Sequence, residues 1–238
     1  MTPTNQLHRA GQSLWLDNIT RDLLADGRLR RYIDDLAVTG LTSNPTIYDK
    51  AIGGTAAYDE AVRVAAAGGA TGEEVFFQLA IDDLTHAADL FRPVHERTGG
   101  VDGFVSLEVS PVLAYDAEAT IREAARLHGL AGRPNLFIKI PGTAEGLRAI
   151  EETIGSGVPV NVTLLFSPAQ YLAQAEAYTR AIERRVEAGL AAYVPSVASV
   201  FISRWDPAVA AKVPADLVNQ LGIAIGMKAY ADYRRFFA

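Results

Sequence analysis

Residues 136–165 read LFIKIPGTAEGLRAIEETIGSGVPVNVTLL. Leu136–Ile140 is a short apolar run broken once, by Lys139. Pro141-Gly142-Thr143 ends that run and starts a helix through Ile154. Val158–Leu165 is then a further apolar strand, VPVNVTLL. Two strands that look apolar on both faces, joined by a helix, describe parallel strands buried beneath crossover helices.

The alternation continues in both directions. Leu14–Leu16 is a first short apolar strand ending at Asp17, and Thr20 caps a helix over Arg21–Asp35 with Leu23, Leu24, Leu29 and Ile33 as its apolar positions. Gly40–Thr42 carries the chain into Ser43-Asn44-Pro45. The residue before a proline is pushed out of the helical region, so Asn44 belongs to an extended strand end or turn. A longer, mostly helical segment follows, punctuated by Gly68-Gly69, and Thr71-Gly-Glu-Glu opens a helix to about His95. Val101–Val109 is the third strand, with helix from Ala117 to Leu130. Beyond the opening stretch, Ser167-Pro168 starts a helix to about Leu190, Pro168 suiting its first turn. Tyr193–Ile202 holds the sixth strand, and the segment from Asp206 reads as helix to the end.

Two architectures meet this pattern, the eight-stranded (β/α) barrel and the open doubly wound sheet. No GxGxxG or GxxxxGK[ST] follows the first strand, which removes the main support for the dinucleotide and P-loop versions. No repeat, low-complexity tract or linker interrupts the chain, so one domain over residues 1–238 is expected.

Hydrophobic residues make up 49 % of the chain and charged residues 21 %, which supplies a sizeable core and excludes a disordered chain. The sequence has no cysteine, so disulfides, thiolate zinc sites, iron–sulfur clusters and cysteine nucleophiles are excluded. A net charge of −6 argues against a nucleic-acid binder, which needs a basic surplus. It does not exclude phosphorylated small molecules, because one arginine cluster can hold a phosphate. The opening MTPTNQLHRAGQSLWLD lacks a basic segment followed by a continuous apolar stretch and does not read as a secretory signal. No run approaches the roughly 18 apolar residues of a membrane helix, so a soluble, cytoplasmic protein is expected.

In a parallel barrel, catalytic groups sit at the C-terminal ends of strands. Here every strand ends in, or is interrupted by, polar residues: Asp17 and Asn18; Thr42, Ser43 and Asn44; Glu108; Lys139; Asn161 and Thr163; Ser196, Ser199 and Arg204. Lys139 is the sharpest, one of only 4 lysines and flanked by apolar residues on both sides. A buried ammonium is costly unless it is paired or loses its proton, and a neutral amine is what a Schiff-base nucleophile requires. An ion pair at a strand end, or a buried stem with its head in water, accounts for Lys139 equally well. Glu108 lies in Val-Ser-Leu-Glu-Val-Ser and is a partner for Lys139 on either reading. Asp17 alone reads as a cap or loop residue. Asn161 and Thr163 share a strand face, although threonine in a strand needs no special explanation. Arg204 either caps a loop or binds an anionic group. The histidines, His8, His86, His95 and His128, have no metal-binding spacing and are assigned structural or surface roles.

The ordered set LWLDNITR, GLTSNPTI, SLEVSP, FIKIPGT, NVTLLFS and SVFISR resembles the transaldolase family over about residues 12–206. The long insertion between the second and third strands looks like the form usual in actinobacteria and cyanobacteria. It looks less like the short fructose-6-phosphate aldolase branch, which tends to carry a tyrosine where this chain has Phe201. The resemblance implies a TIM-type barrel and class I chemistry on sugar-phosphate substrates, with no metal and no organic cofactor. It implies Lys139 as the Schiff-base nucleophile, Glu108 and Thr163 moving protons through a water, and Asp17 taking the proton of the C4 hydroxyl. Asn44 and Asn161 then hold the three-carbon dihydroxyacetone unit, and Ser199 and Arg204 make hydroxyl and phosphate contacts. The family's barrel has eight strands and this sequence has signals for six, so an incomplete barrel is expected, lacking the strand-seven phosphate ligands. Its open edges predict a homo-oligomer or a partner chain that covers them. Three alternatives accompany the transferase reading: a lyase releasing dihydroxyacetone, a secondary-metabolism sugar-phosphate transferase, and a truncated non-catalytic fragment or assembly subunit.

Overall fold

The computed structural model describes residues 2–238. In chain order the elements are α1 (Pro3–Arg9), β1 (Leu14–Asp17), α2 (Arg21–Ala25), α3 (Arg28–Leu36), β2 (Val38–Thr42), α4 (Pro45–Gly54), α5 (Asp59–Ala67), α6 (Gly72–Arg97), β3 (Phe104–Glu108), α7 (Ala117–Ala131), β4 (Leu136–Pro141), α8 (Ala144–Gly155), β5 (Val160–Leu165), α9 (Pro168–Glu187), β6 (Ser196–Val200), α10 (Trp205–Val209) and α11 (Leu221–Phe236). The six strands form one parallel sheet in the order β1-β2-β3-β4-β5-β6. A doubly wound sheet reverses its strand order at a switch point, and this one does not. The topology is that of the first six β/α units of a TIM-type barrel, an incomplete barrel as expected. No helix among the described residues is long and apolar enough to cross a membrane.

The chain divides into two compact units, one running through Glu108 and including Arg126–Ile138, the other Val109–Ala125 with Lys139–Ala238. In the first, β1 pairs β2 with Trp15 opposite Gly40 and Asp17 opposite Thr42, and β2 pairs β3 with Gly40 opposite Phe104 and Thr42 opposite Ser106. The Val105 N–H continues the ladder to Asn135 O at 3.0 Å. Helix α6 packs on β2 and β3 and buries Leu84, Ala87, Ala88 and Phe91. Buried Asn135 ties these layers together, its Nδ2 donating to Ala88 O at 2.9 Å and Gly103 O at 2.8 Å. In the second unit Val109 N–H donates to Lys139 O at 3.1 Å and Gly142 N–H to Thr163 O at 2.8 Å. Strand β5 pairs β6 with Val160 opposite Ser196 and Asn161 opposite Val197. Helices α8 and α9 pack together there, burying Ile150, Ile154, Ala177 and Ala181.

Several element boundaries depart from the sequence reading, four of them for an evident local reason. The helix expected over Arg21–Asp35 is two helices. Gly27 has φ 79°, a left-handed conformation no helix interior accommodates, and the Asp26 carboxylate accepts the Arg28 N–H at 2.9 Å to start the second. The third strand begins at Phe104, because Gly103 has φ 83° and the Asp102 N–H is taken by Thr98 Oγ1 at 3.1 Å. The sixth is shorter than Tyr193–Ile202, since Pro195 has no N–H to give the ladder. The helix expected from Asp206 is interrupted between α10 and α11, where Pro214 precedes a short 3₁₀ turn and Asn219 has φ 63°.

Candidate functional site

Side chains alternate between the two faces of a strand, so residues two apart share one. In the first unit Trp15 and Asp17 lie on one face of β1, Gly40 and Thr42 on one face of β2, and Phe104, Ser106 and Glu108 on one face of β3. The register places Trp15, Gly40 and Phe104 at one level, and Asp17, Thr42 and Ser106 at the next.

The lower level is aromatic. Gly40 leaves room for the Trp15 indole, and a Cβ there would lie 2.5 Å from Trp15 Cε2. Trp15 stacks on Phe137 at 6.2 Å between ring centroids, and Phe137 on Phe104 at 4.2 Å. The polar level follows along each strand. Asp17 is exposed at the end of β1, and Glu108 is half-buried at the end of β3. Asn44 stands two residues beyond Thr42. Its Oδ1 accepts the Ile47 N–H at 3.0 Å to cap α4, with Pro45 opening the helix, which leaves the Nδ2 amide as the group able to meet a ligand. The buried Thr42 hydroxyl has no hydrogen-bond partner, and buried Ser43 donates to Ser106 O at 2.8 Å.

The second unit carries the lysine. Every residue of β4 is buried, and Lys139 is only 6 % exposed. On β5, Asn161 and Thr163 share a face, both buried. Ser199 of β6 donates from Oγ to Asn161 Oδ1 at 2.9 Å, which fixes the orientation of that amide. Thr163 Oγ1 is buried without a hydrogen-bond partner, a situation that costs about 1–3 kcal/mol unless a ligand or water meets it. Immediately beyond it the β5–β6 register shifts and Leu164 adopts φ 58°. A left-handed leucine costs roughly 1–2 kcal/mol, and such bulges concentrate beside active sites, where they re-aim a side chain. Arg204 lies beyond the end of β6, exposed at the N-cap of α10, where a ligand's anionic group can reach it from solvent.

Asp17, Glu108, Lys139, Thr163 and Ser199 lie at or near the C-terminal ends of their strands and Asn44 just beyond β2, whereas Asn161 is the second residue of β5 and Arg204 lies past β6. Ser199 and Asn161 are brought into direct contact. The aromatic level, formed by Trp15, Phe104 and Phe137 over Gly40, and Ser106 at the polar level were not singled out from the sequence. Stepping back two residues from Asp17, Glu108 and Lys139 would have found Trp15, Ser106 and Phe137.

A family model described as Transaldolase/Fructose-6-phosphate aldolase matches residues 14–238. The chain is 42 % identical over 248 residues to Transaldolase 2 of Nostoc punctiforme, covering 97 % of this chain and 65 % of that protein. It is 42 % identical over 238 residues to a transaldolase of Neisseria gonorrhoeae, covering 100 % of this chain and 68 % of that one. With a transaldolase of Acidothermus cellulolyticus the identity is 44 % over 243 residues, 99 % of this chain and 65 % of the relative. The chain thus spans less than two thirds of the Nostoc and Acidothermus proteins' length. It belongs to the transaldolase/fructose-6-phosphate aldolase family.

Proposed function

We propose that this family member transfers a three-carbon dihydroxyacetone unit from a ketose phosphate, fructose 6-phosphate or sedoheptulose 7-phosphate, to an aldose phosphate through a Schiff base on Lys139. The observation that carries the reading is Lys139 itself, buried in an otherwise apolar strand whose neighbour β5 offers Asn161 and the unpartnered Thr163 hydroxyl. Schiff-base chemistry needs a lysine amine, and that need gives a reason for a lysine in an otherwise apolar strand.

The Lys139 amine adds to the C2 carbonyl, and the carbinolamine loses water as Glu108 and Thr163 relay protons through a bridging water. Asp17 then accepts the proton of the C4 hydroxyl. The C3–C4 bond breaks, its electron pair moves into the iminium to give an enamine, and the aldose phosphate departs. Asn44 and Asn161 hydrogen-bond the hydroxyls of the retained unit, Ser199 holds Asn161 in place and contacts a hydroxyl, and Arg204 meets the phosphate. The enamine attacks the aldehyde of an acceptor such as erythrose 4-phosphate, and hydrolysis of the new imine frees Lys139. Every step uses side chains of this chain, with neither a metal nor an organic cofactor.

Borohydride reduction in the presence of fructose 6-phosphate, followed by peptide mass mapping, tests the assignment. Label is expected on Lys139. Label on Lys50, Lys212 or Lys228 instead would sink it. A lyase reading shares the same family description. Product analysis separates the two, because a lyase releases dihydroxyacetone without an acceptor and a transferase needs one.

A further inference from the structure

Helix α6 buries a carboxylate, Asp83, only 3 % exposed, which plays no part in the chemistry above. Its Oδ1 accepts from Arg21 Nε at 3.0 Å and its Oδ2 from the Tyr58 hydroxyl at 2.8 Å. Tyr58 has one proton and gives it to Asp83, so its oxygen acts as an acceptor toward the Arg21 backbone N–H, at 3.0 Å. The result is a closed ring: Arg21 N–H to Tyr58, Tyr58 to Asp83, and Arg21 Nε back to Asp83. The Arg21 guanidinium also lies 4.7 Å over the Tyr58 ring and donates to Ala57 O at 3.4 Å. Burial, helped by the neighbouring Asp82 charge, holds the Asp83 carboxyl above its ordinary value against the hydrogen bonds from Tyr58 and Arg21.

The ring closes on the turn that leaves β1. Arg21 is the first residue of α2, and its N–H is one of the helix-start donors with no intrahelical acceptor. Thr20 Oγ1 takes the Leu23 N–H at 3.1 Å, and Ile19 is wholly buried. Ile19, Thr20 and Arg21 are each pinned, and only Asn18 separates them from Asp17. On its other side Asp17 is the last paired residue of β1, opposite Thr42. Tyr58 and Ala57 lie in the link between α4 and α5. The helical insertion between β2 and β3 thus reaches back to the turn that follows Asp17.

We propose that Asp83, acting through Arg21 and Tyr58, is a positioning residue for Asp17. This rests on the role of Asp17 proposed above. Asp83 touches no substrate; it fixes the chain direction just after β1, so that the Asp17 carboxylate meets the C4 hydroxyl.

Tyr58→Phe keeps the ring beneath the guanidinium and removes the oxygen that links the Arg21 backbone N–H to Asp83. Asp83→Asn keeps the volume and replaces one acceptor with a donor. For both variants kcat is expected to fall by about ten- to a hundredfold, the scale of a displacement of about 1 Å at a catalytic group. KM and the rate of borohydride trapping on Lys139 stay at wild-type values, because imine formation does not need Asp17. Amide exchange over residues 18–24 quickens by about tenfold or more. Should Asp83→Asn fail to fold, Tyr58→Phe carries the test alone. Wild-type kcat in Tyr58→Phe, or trapping that falls in step with turnover, overturns the proposal. If wild-type protein traps no substrate on Lys139, the functional reading fails, and exchange decides separately: unchanged exchange over 18–24 in Tyr58→Phe refutes the tether, and faster exchange supports it.

Discussion

Gly40→Ala is a one-carbon test of the aromatic level. The added Cβ would lie 2.5 Å from Trp15 Cε2 and 2.7 Å from Cδ2 and Nε1, against 3.4 Å or more for ordinary contact. The indole must therefore retreat by roughly 1 Å, because a gap or overlap of that size spans most of a van der Waals well. It cannot tilt freely, since it stacks on Phe137, which stacks on buried Phe104. Overpacking of this kind costs about 1–3 kcal/mol. The displaced ring is two residues from Asp17 and its stacking partner two residues from Lys139, so turnover falls as well. A double-mutant cycle with Trp15→Leu, read from urea midpoints, isolates the collision. The smaller side chain gives the new methyl room, so the double variant should recover about 0.5–3 kcal/mol relative to the sum of the singles. Gly40→Ala within about 0.5 kcal/mol of wild type, or strict additivity in the cycle, refutes the reasoning.

Asp17→Ala is expected to keep imine trapping on Lys139 and stop carbon–carbon cleavage, while Glu108→Gln slows imine formation and hydrolysis, each lowering steady-state turnover by about 10²–10⁴-fold; wild-type turnover in Asp17→Ala contradicts the assignment. Thr163→Val removes a buried hydroxyl without a partner, so the variant should gain about 1 kcal/mol in chemical denaturation while losing activity; a loss of stability would show that the hydroxyl is satisfied in the folded protein. Glu152 accepts two hydrogen bonds from Arg184, at 2.7 and 3.0 Å, which hold its carboxyl below the ordinary value of 4.5. A depressed folded value means that this pair stabilises above the unfolded value and is lost as pH falls through the folded one. The partners are 49 % and 38 % exposed, so the contribution is below about 1 kcal/mol and shrinks in high salt; Arg184→Gln should flatten the acid limb of the stability curve, and an unchanged limb contradicts the pairing. In the described sheet β1 and β6 each have one edge without a neighbouring strand, and Val197 on β6 is 37 % exposed; light scattering at micromolar concentration should show an association that covers these edges, and a stable monomer speaks against it.

The strands were legible because each is a short apolar run bounded by turn residues, and the parallel order follows from the intervening helices. Lys139, Glu108 and Asn161 stood out for the same reason, as polar interruptions of apolar runs. The break at Gly27 was hidden, because Leu29 and Ile33 continue the helical periodicity of Leu23 and Leu24 across it. The left-handed glycine decides the matter, and periodicity does not register it. Trp15, Phe104 and Phe137 pass as ordinary strand residues by propensity, and only the register that sets Gly40 opposite Trp15 gives them a common task. The Arg21–Asp83 contact joins residues 62 apart through helices of no distinctive pattern, and local reading has no access to such a pairing.

The two-residue period of a strand explains why these features occur together. A residue two places beyond an inward aromatic lies on the same face and one level nearer the strand's C-terminal end, so Trp15 is followed by Asp17, Phe104 by Ser106 and Glu108, and Phe137 by Lys139. Burial raises the cost of every polar group left without a partner. Both units carry such a cost. Thr42 in the first and Thr163 in the second each bury a hydroxyl with no hydrogen-bond partner, and Leu164 adds backbone strain directly after Thr163. At about 1–3 kcal/mol per hydroxyl, these are large fractions of a typical folding free energy. Valine has nearly the shape of threonine and would fill either position without the penalty. Threonine at both positions is therefore intelligible as a hydroxyl kept for something outside the polypeptide to meet.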